Sequence, residues 1–175
     1  MSIITANNFG GKLYKNSYFS LKVTSDTKEA KILMDMLIPI FDTKILPQTS
    51  SILKKELPSI MYSKCFNEND WSFAKEVKNT EIGHLFEHIL LEYISEFKRL
   101  MGIKNPIHNG MTSWNWQKEP QGRFHILIDI PRKDKDVIDS AIRKSLVLLS
   151  TIIESSQSIG EYSQTLLPDI IKPNL

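Results

Sequence analysis

The chain has 175 residues, with 22 Lys plus Arg against 20 Asp plus Glu, so its formal net charge at pH 7 is +2. Hydrophobic residues make up 41% and charged residues 24%, which is ordinary globular usage and excludes a disordered chain, a collagen-like repeat and a coiled-coil rod. The balanced charge, without any long Lys/Arg block, argues against nucleic acid and membrane surfaces as partners. This length predicts a single domain.

Cysteine content and the N-terminal sequence narrow the class of protein further. Cys65 is the one cysteine of the chain, which excludes an intramolecular disulfide and a zinc site built from cysteines. A metal would therefore need histidines and carboxylates. The first residues lack a charged segment followed by an apolar run, and no eighteen apolar residues follow one another, so we expect a cytoplasmic protein.

The first half of the chain predicts a strand and a helix after a loose start. Residues 1–17 are rich in Asn and Gly and predict a loose N-terminal arm. Residues 18–24 alternate between apolar and polar side chains, as in a half-buried strand. Possible caps at residues 25–27 then precede an apolar series at helical spacing, which predicts a helix of about four turns. The series consists of Ala30, Leu33, Met34, Leu37, Ile38 and Phe41. Residues 47–66 carry two prolines around a short stretch that could form a helix, and they predict a long connection.

The second half of the chain has stronger periodicity. Residues 80–101 place apolar side chains on one continuous stripe and predict a long helix capped by Thr80. Two strand-like runs, 111–116 and 123–130, predict a hairpin, and residues 133–155 predict a last helix before a tail over 156–175. The order of elements indicates an α+β domain over 18–155, with a small, mainly antiparallel sheet covered by helices.

His84, Glu87 and His88 form an H-x-x-E-H motif within the long predicted helix. Residues four apart on a helix point the same way about one turn apart, so the two imidazoles can converge on one metal ion. Glu87 lies beside them, where a carboxylate can accept a proton from a metal-bound water. The polar column that continues to Glu92 is equally typical of a solvated helix face, so both interpretations stay open.

The sequence leaves the third metal ligand undecided. Glu92 is the nearest choice along the chain, although about two turns of helix separate it from His84. His125 or Cys65 could instead arrive from another element. Each also has a structural interpretation, His125 as a half-exposed strand residue and Cys65 as a small buried apolar residue.

Three residues near the hairpin are candidates for substrate binding. Trp114 alternates with Trp116 on one strand face, where the pair could line a groove or pack in the core. Arg123 could bind a carboxylate or be an ordinary surface residue. His125 shares its strand face, and we expect this polar face to approach the helix column. The chain has no Gly-rich phosphate loop, so we expect no use of ATP.

Residues 57–94 run from a Leu-Pro segment through a Cys-containing turn to a helix reading G-H-x-x-E-H-x-x-x-E. This stretch resembles the N-terminal domain of cyanophycin synthetases, and its matching residues are Gly83, His84, Glu87, His88 and Glu92. The likeness continues through a Gly-led strand near residue 110, a second strand after Gly122 and a closing helix. It covers about residues 18–155. The segment MTSWNW departs from the more Arg- and Thr-rich segment of the synthetases, which leaves the substrate open.

The resemblance implies a function for the helix motif. In that family the N-terminal domain holds an Asp–Arg polymer, and in some members its H-x-x-E-H helix looks like a metal-dependent peptidase site. The ATP-grasp and Mur-ligase-like domains of the synthetases do not occur within these 175 residues, so we expect no ATP-driven synthesis by this chain alone.

We therefore expect a zinc-dependent hydrolase of a peptide or peptide-like amide, with an Asp–Arg polymer as one possible substrate. His84, His88 and Glu92, or a residue from another element, would hold Zn²⁺, and Glu87 would act as general base. The alternative is a non-catalytic module that binds a peptide, a polymer or another protein. The sequence leaves the oligomeric state open, a homo-oligomer included.

Overall fold

The computed structural model describes residues 3–8, 11–65 and 71–165, and six strands within these ranges form one antiparallel sheet. The strands are β1 (Ile4–Asn8), β2 (Gly11–Lys15), β3 (Phe19–Ser25), β4 (Glu29–Met36), β5 (Gly110–Ser113) and β6 (Arg123–Asp129). Their order across the sheet is β1-β2-β3-β4-β6-β5. Neighbours in sequence pair along the sheet except where β6 lies between β4 and β5, so β5 forms one edge.

The same described ranges contain four α-helices. They are α1 (Thr49–Glu56), α2 (Phe73–Glu76), α3 (Ile82–Leu100) and α4 (Lys135–Thr165). Short 3-10 turns occupy Thr43–Ile45, Pro58–Tyr62 and Arg132–Asp134. Among the helices in the described ranges, none is both long and apolar enough to cross a bilayer.

One face of the sheet is buried beneath α3 and α4. Alternate residues of β3, β4 and β6 are buried on this face, and the inward stripes of both helices complete the core. Gly83 of α3 lies directly against the Phe124 ring of β6, since a Cβ at Gly83 would stand 2.4 Å from Phe124 Cγ. The opposite face of β6 carries Arg123, His125 and Leu127 and has no helix on it within the described residues. The α+β architecture predicted from the sequence is confirmed.

Several predicted elements are confirmed in type. The strand at 18–24 is β3, the two runs of the hairpin are β5 and β6 in antiparallel register, and the long helices are α3 and α4. The prediction for the cap of α3 was wrong. The N-cap residue of α3 is Glu81, without a side-chain capping bond, and the hydroxyl of Thr80 lies beside His84 instead.

The prediction of a helix after the first strand was wrong, because residues 29–36 form strand β4. Its buried residues recur every second position, whereas the predicted helix used a spacing of three and four. Asp26, taken as a helix cap, accepts the backbone N–H groups of Lys28 and Glu29. It therefore closes the tight turn between β3 and β4.

The loose arm predicted over residues 1–17 was also wrong. Residues 4–8 and 11–15 form the antiparallel strands β1 and β2, and β2 pairs with β3 along the sheet. Asn16 accepts the backbone N–H groups of Tyr18 and Phe19, which turns the chain from β2 into β3. At the other end, α4 extends through Thr165 into the predicted tail, and the remainder, 166–175, lies outside the described residues.

Candidate metal centre

His84 and His88 converge with Cys65 on one small space beside α3. The Nε2 atoms of the two histidines are 3.1 Å apart, and Cys65 Sγ is 3.4 Å from His84 Nε2. The three potential ligand atoms all lie within 4.8 Å of one another. Helical spacing brings the two imidazoles together, and the chain after the 3-10 turn at residues 58–62 brings in the thiol. This cluster could hold a metal ion.

Cys65 and His88 are buried and His84 is partly buried. This burial contradicts the alternative interpretation, in which the two histidines belong to a solvated helix face. His88 is 6% exposed and Cys65 is 6% exposed. The His88 ring stacks on Phe73 of α2, with ring centroids 4.0 Å apart and planes at 22°. The same phenylalanine meets His84 edge-on. Phe73 therefore fixes both imidazole planes and keeps water away from one side of the cluster.

Burial also controls the charge of both imidazoles. Desolvation lowers the pKa of His88 to about 3, and the neighbouring His84 acts in the same direction. Desolvation likewise lowers the pKa of His84. Both rings are therefore neutral near pH 7, and neutral imidazole is the form that binds a metal ion.

Thr80 orients the ring of His84. Its hydroxyl oxygen lies 2.8 Å from His84 Nδ1, while Nε2 of the same ring faces the cluster. A ring whose Nδ1–H donates to Thr80 has its free lone pair on Nε2. A hydrogen-bond partner of this kind commonly fixes the orientation of metal-binding histidines.

Glu87 lies beside the cluster and contacts the edge strand of the sheet. It is 5% exposed, and the hydroxyl of Thr112 in β5 donates a hydrogen bond to its carboxylate. Gly110 of β5 leaves the space that this carboxylate fills, because a Cβ at Gly110 would stand 2.7 Å from Glu87 Oε1. Desolvation raises the pKa of Glu87 to about 6, although the Thr112 bond acts in the opposite direction.

A groove of about 740 Å³ gives access to these residues. His84, Glu87 and His88 line it from α3, and residues 108–112 line it from β5 and the segment before it. The remaining lining residues are Lys64, Glu76, Glu81, Leu91 and Trp114. The groove therefore joins a potential metal site, a buried carboxylate and a sheet edge in one surface feature.

Two of the predicted ligands lie elsewhere. Glu92 forms an ion pair with Arg99 at 2.9 Å and is outside the Cys65, His84 and His88 cluster. His125 projects from the exposed face of β6 and lies 2.8 Å from a carboxylate oxygen of Glu119. The expected approach of this strand face to the helix column was wrong, because α3 packs against the opposite face of β6.

Of the three residues predicted to bind substrate, one lines the groove and two do not. Trp114 lines the groove and is 38% exposed, and its ring meets Phe124 edge-on. Arg123 is bound by Asp35 of β4, with its Nε donating to a carboxylate oxygen at 2.7 Å, and does not line the groove. His125 does not line it either. Trp114 alone of the three therefore borders the candidate site.

His108 is a groove residue that sequence reasoning missed. Its Nε2 atom is buried and has no hydrogen-bond partner in the part of the chain that the structure describes. Burial lowers the pKa of this imidazole, and the charge of Lys98 acts in the same direction. His108 stands in a loop without periodicity, so only the fold reveals its place. Phe73 of α2 and Thr112 of β5 were also missed, because their contacts with His88 and Glu87 join elements that are distant in sequence.

No protein-family model matches the chain, and no curated protein matches it.

Proposed function

We propose that the chain is a zinc-dependent hydrolase of peptides or peptide-like amides. The observation that carries this proposal is the convergence of Cys65, His84 and His88 beside a groove that also contains the buried carboxylate of Glu87. Zinc readily binds imidazole and thiolate ligands, whereas hard cations such as Mg²⁺ and Ca²⁺ prefer oxygen ligands. Three protein ligands, together with an open groove, are typical of a catalytic zinc site rather than a closed structural one.

The distances within the cluster support this choice of metal. A tetrahedral zinc ion, bonded at about 2.0–2.1 Å to nitrogen and about 2.3 Å to sulfur, sets two nitrogens about 3.3 Å apart. It sets a nitrogen and a sulfur about 3.6 Å apart. The observed separations are 3.1 Å between the histidine nitrogens and 3.4 Å from Cys65 Sγ to His84 Nε2. The cluster as a whole spans up to 4.8 Å, so Cys65 and His88 would have to move together by about 1 Å to bind one ion.

In this proposal each residue has a defined task. Zn²⁺ supplies positive charge that acidifies water and polarises the substrate carbonyl. Glu87 accepts a proton from the attacking water while the water oxygen forms a bond to the carbonyl carbon of the substrate. The carbon–nitrogen bond then breaks, and Glu87 returns the proton to the leaving nitrogen, so that the products are a carboxylic acid and an amine. Thr112 holds the Glu87 carboxylate toward the groove.

The resemblance to the N-terminal domain of cyanophycin synthetases supports the proposal and suggests one substrate. Of its matching residues, His84, Glu87 and His88 lie together at the groove. An Asp–Arg polymer is therefore a substrate to test beside ordinary peptides. Cys65 takes the place that Glu92 would have had as the third ligand.

The substitution Glu87→Gln tests the proposal. It keeps the size of the side chain and a carbonyl oxygen for Thr112 but removes the capacity to accept a proton. The variant should bind zinc as the wild type does and cleave at least about a hundredfold more slowly. The measurements are zinc content of protein purified without a His tag, and hydrolysis of an Asp–Arg polymer and of a general peptide library.

His88→Ala is the companion variant, because it should remove the metal as well as the activity. Undiminished cleavage by Glu87→Gln would overturn the assigned mechanism. A wild-type protein that holds no zinc and cleaves no amide would favour a non-catalytic peptide-binding module.

A further inference from the structure

The edge strand β5 presents main-chain groups beside the candidate metal centre. It is the last strand of the sheet, and within the described residues it pairs with β6 alone. An edge strand leaves alternate N–H and C=O groups without a ladder partner, which can bind another extended chain.

The pairing register shows which residues carry these free groups. The N–H of Asp129 donates to the carbonyl of Asn109 at 2.9 Å, so this opposed pair is hydrogen-bonded. Bonded and non-bonded pairs alternate along an antiparallel ladder. Met111 opposite Leu127 is therefore bonded, whereas Gly110 and Thr112 are non-bonded positions in the register. Their N–H and C=O groups point away from β6, toward the open edge.

This open edge borders the groove. Gly110 and Thr112 both line it, together with His84, Glu87 and His88 of α3. Residues two apart on a strand lie about 6.8 Å apart, which is also the repeat of an extended peptide. A peptide paired with Gly110 and Thr112 would lie about 4.8 Å from β5 and pass along the groove that contains the metal cluster.

We propose that the outer edge of β5 binds the main chain of the substrate as an added strand. The substrate class is then a linear, extended polypeptide with unsubstituted main-chain amides. This inference rests on the proposed function, because it assigns the way in which the same site holds its substrate. Gly110 and Thr112 supply the main-chain contacts, and Glu87 and the metal ligands face one peptide bond of the bound strand.

Main-chain amide NMR tests the contact directly. The probe is a pool of random hexapeptides, acetylated and amidated, added to zinc-loaded Glu87→Gln protein so that binding is read without cleavage. We expect the amide signals of Gly110 and Thr112 to shift and to exchange with solvent more slowly, while those of the other sheet edge, β1, stay unchanged. A matched pool with every main-chain nitrogen methylated cannot donate main-chain hydrogen bonds or lie close against a strand edge, and it should leave all of these signals in place.

Two substitutions at Thr112 separate the main-chain contact from the side-chain contact. Thr112→Pro removes the outward N–H without touching the bonded positions of the ladder, and it also removes the hydroxyl. Thr112→Val removes only the hydroxyl and is the matched control. Peptide-pool binding should weaken about tenfold for Thr112→Pro relative to Thr112→Val. Zinc content of both variants reports whether the fold and the metal site persist.

The outcomes distinguish this inference from the proposed function. Protein that binds zinc and cleaves peptides without any change at Gly110 and Thr112 would overturn the edge-strand contact and leave the hydrolase standing. Protein that shifts these two amides but never cleaves would support the contact and overturn the hydrolase. Equal binding of the ordinary and the methylated pool would also overturn the contact, even if Thr112→Pro fails to fold.

Discussion

Thr80 determines which nitrogen of His84 can bind a metal. Its side chain is 2% exposed, and its hydroxyl lies 2.8 Å from Nδ1. We predict that Thr80→Val weakens zinc binding by about 10–100-fold, because the ring loses the partner that fixes its orientation and its protonated nitrogen. Competition titration against a chelator of known affinity measures the effect.

Two further variants control this prediction. Thr80→Ser keeps the hydroxyl and should retain most of the affinity. Thr151→Val removes an exposed threonine hydroxyl of α4 that donates only to its own helix, and zinc binding should not change. If Thr80→Val bound zinc as tightly as the wild type, the role assigned to this hydroxyl would be wrong.

The residue pattern predicted part of the site. Spacing alone identified His84, Glu87 and His88, because helix geometry is local and regular. The place of Cys65 depends on the path of the chain through a 3-10 turn and α2, which no periodicity encodes. The alternating pattern of β6 already indicated that His125 lies on the strand face opposite the core. A helix that packs on the core face cannot meet it.

At the scale of the element, Gly83 sets the distance between α3 and β6. We predict that Gly83→Ala destabilises the protein by about 1–3 kcal/mol, because the added methyl meets the Phe124 ring and forces the two elements apart. Alanine forms helix better than glycine by about 1 kcal/mol, which works against this loss and is outweighed by it. Urea unfolding at equilibrium measures the free energy.

Leu100→Ala is the matched control on the same helix. Leu100 is exposed at the end of α3, so its truncation should change the free energy of unfolding by less than about 0.5 kcal/mol. A more stable Gly83→Ala protein would show that α3 can move away from β6 without loss.

The strands that the sequence failed to predict were missed for two different reasons. In the segment from β4 to the next residue, Ala30, Leu33, Met34 and Leu37 satisfy helical spacing. Ala30, Ile32, Met34 and Met36 satisfy strand spacing, and these four are buried. A short apolar run can meet both patterns, and the neighbouring strands β3 and β6 decide between them. Near the N-terminus, Asn16 turns the chain from β2 into β3, and composition alone cannot distinguish an Asn- and Gly-rich sheet segment from a loose arm.

At the scale of the whole molecule, Asp139 joins the last helix to the N-terminal hairpin. Its carboxylate accepts hydrogen bonds from Lys12 and Tyr14 of β2 and from Arg143 of α4. We predict that Asp139→Asn lowers the free energy of unfolding by about 1 kcal/mol at pH 7, since the ion pairs are lost while Tyr14 keeps an acceptor. Urea unfolding of wild type, Asp139→Asn, Lys12→Met and the double variant isolates the pair energy.

The same contacts fix the sign of the pH dependence. Burial opposes ionisation of Asp139, but the hydrogen bonds from Lys12, Tyr14 and Arg143 outweigh it and lower the pKa below its ordinary value of 3.8. A lowered pKa contributes stability that is present above the ordinary value and is lost as the pH falls through the lowered one. The difference between wild type and Asp139→Asn should therefore shrink below about pH 4. A difference that grows on acidification would contradict this assignment.

The position of Trp114 offers a way to detect ligand binding in the groove. Its indole borders the groove with part of its surface in water, while Trp116 is partly buried against the core and donates its indole N–H to the Arg123 carbonyl. A bound strand would cover the Trp114 ring and move its fluorescence emission toward the blue. Trp116 and the partly exposed Trp71 also emit, so a Trp114→Phe variant, which should not show the shift, assigns the change to Trp114. The chain therefore carries its own optical reporter of groove occupancy, which needs no label and no knowledge of the ligand.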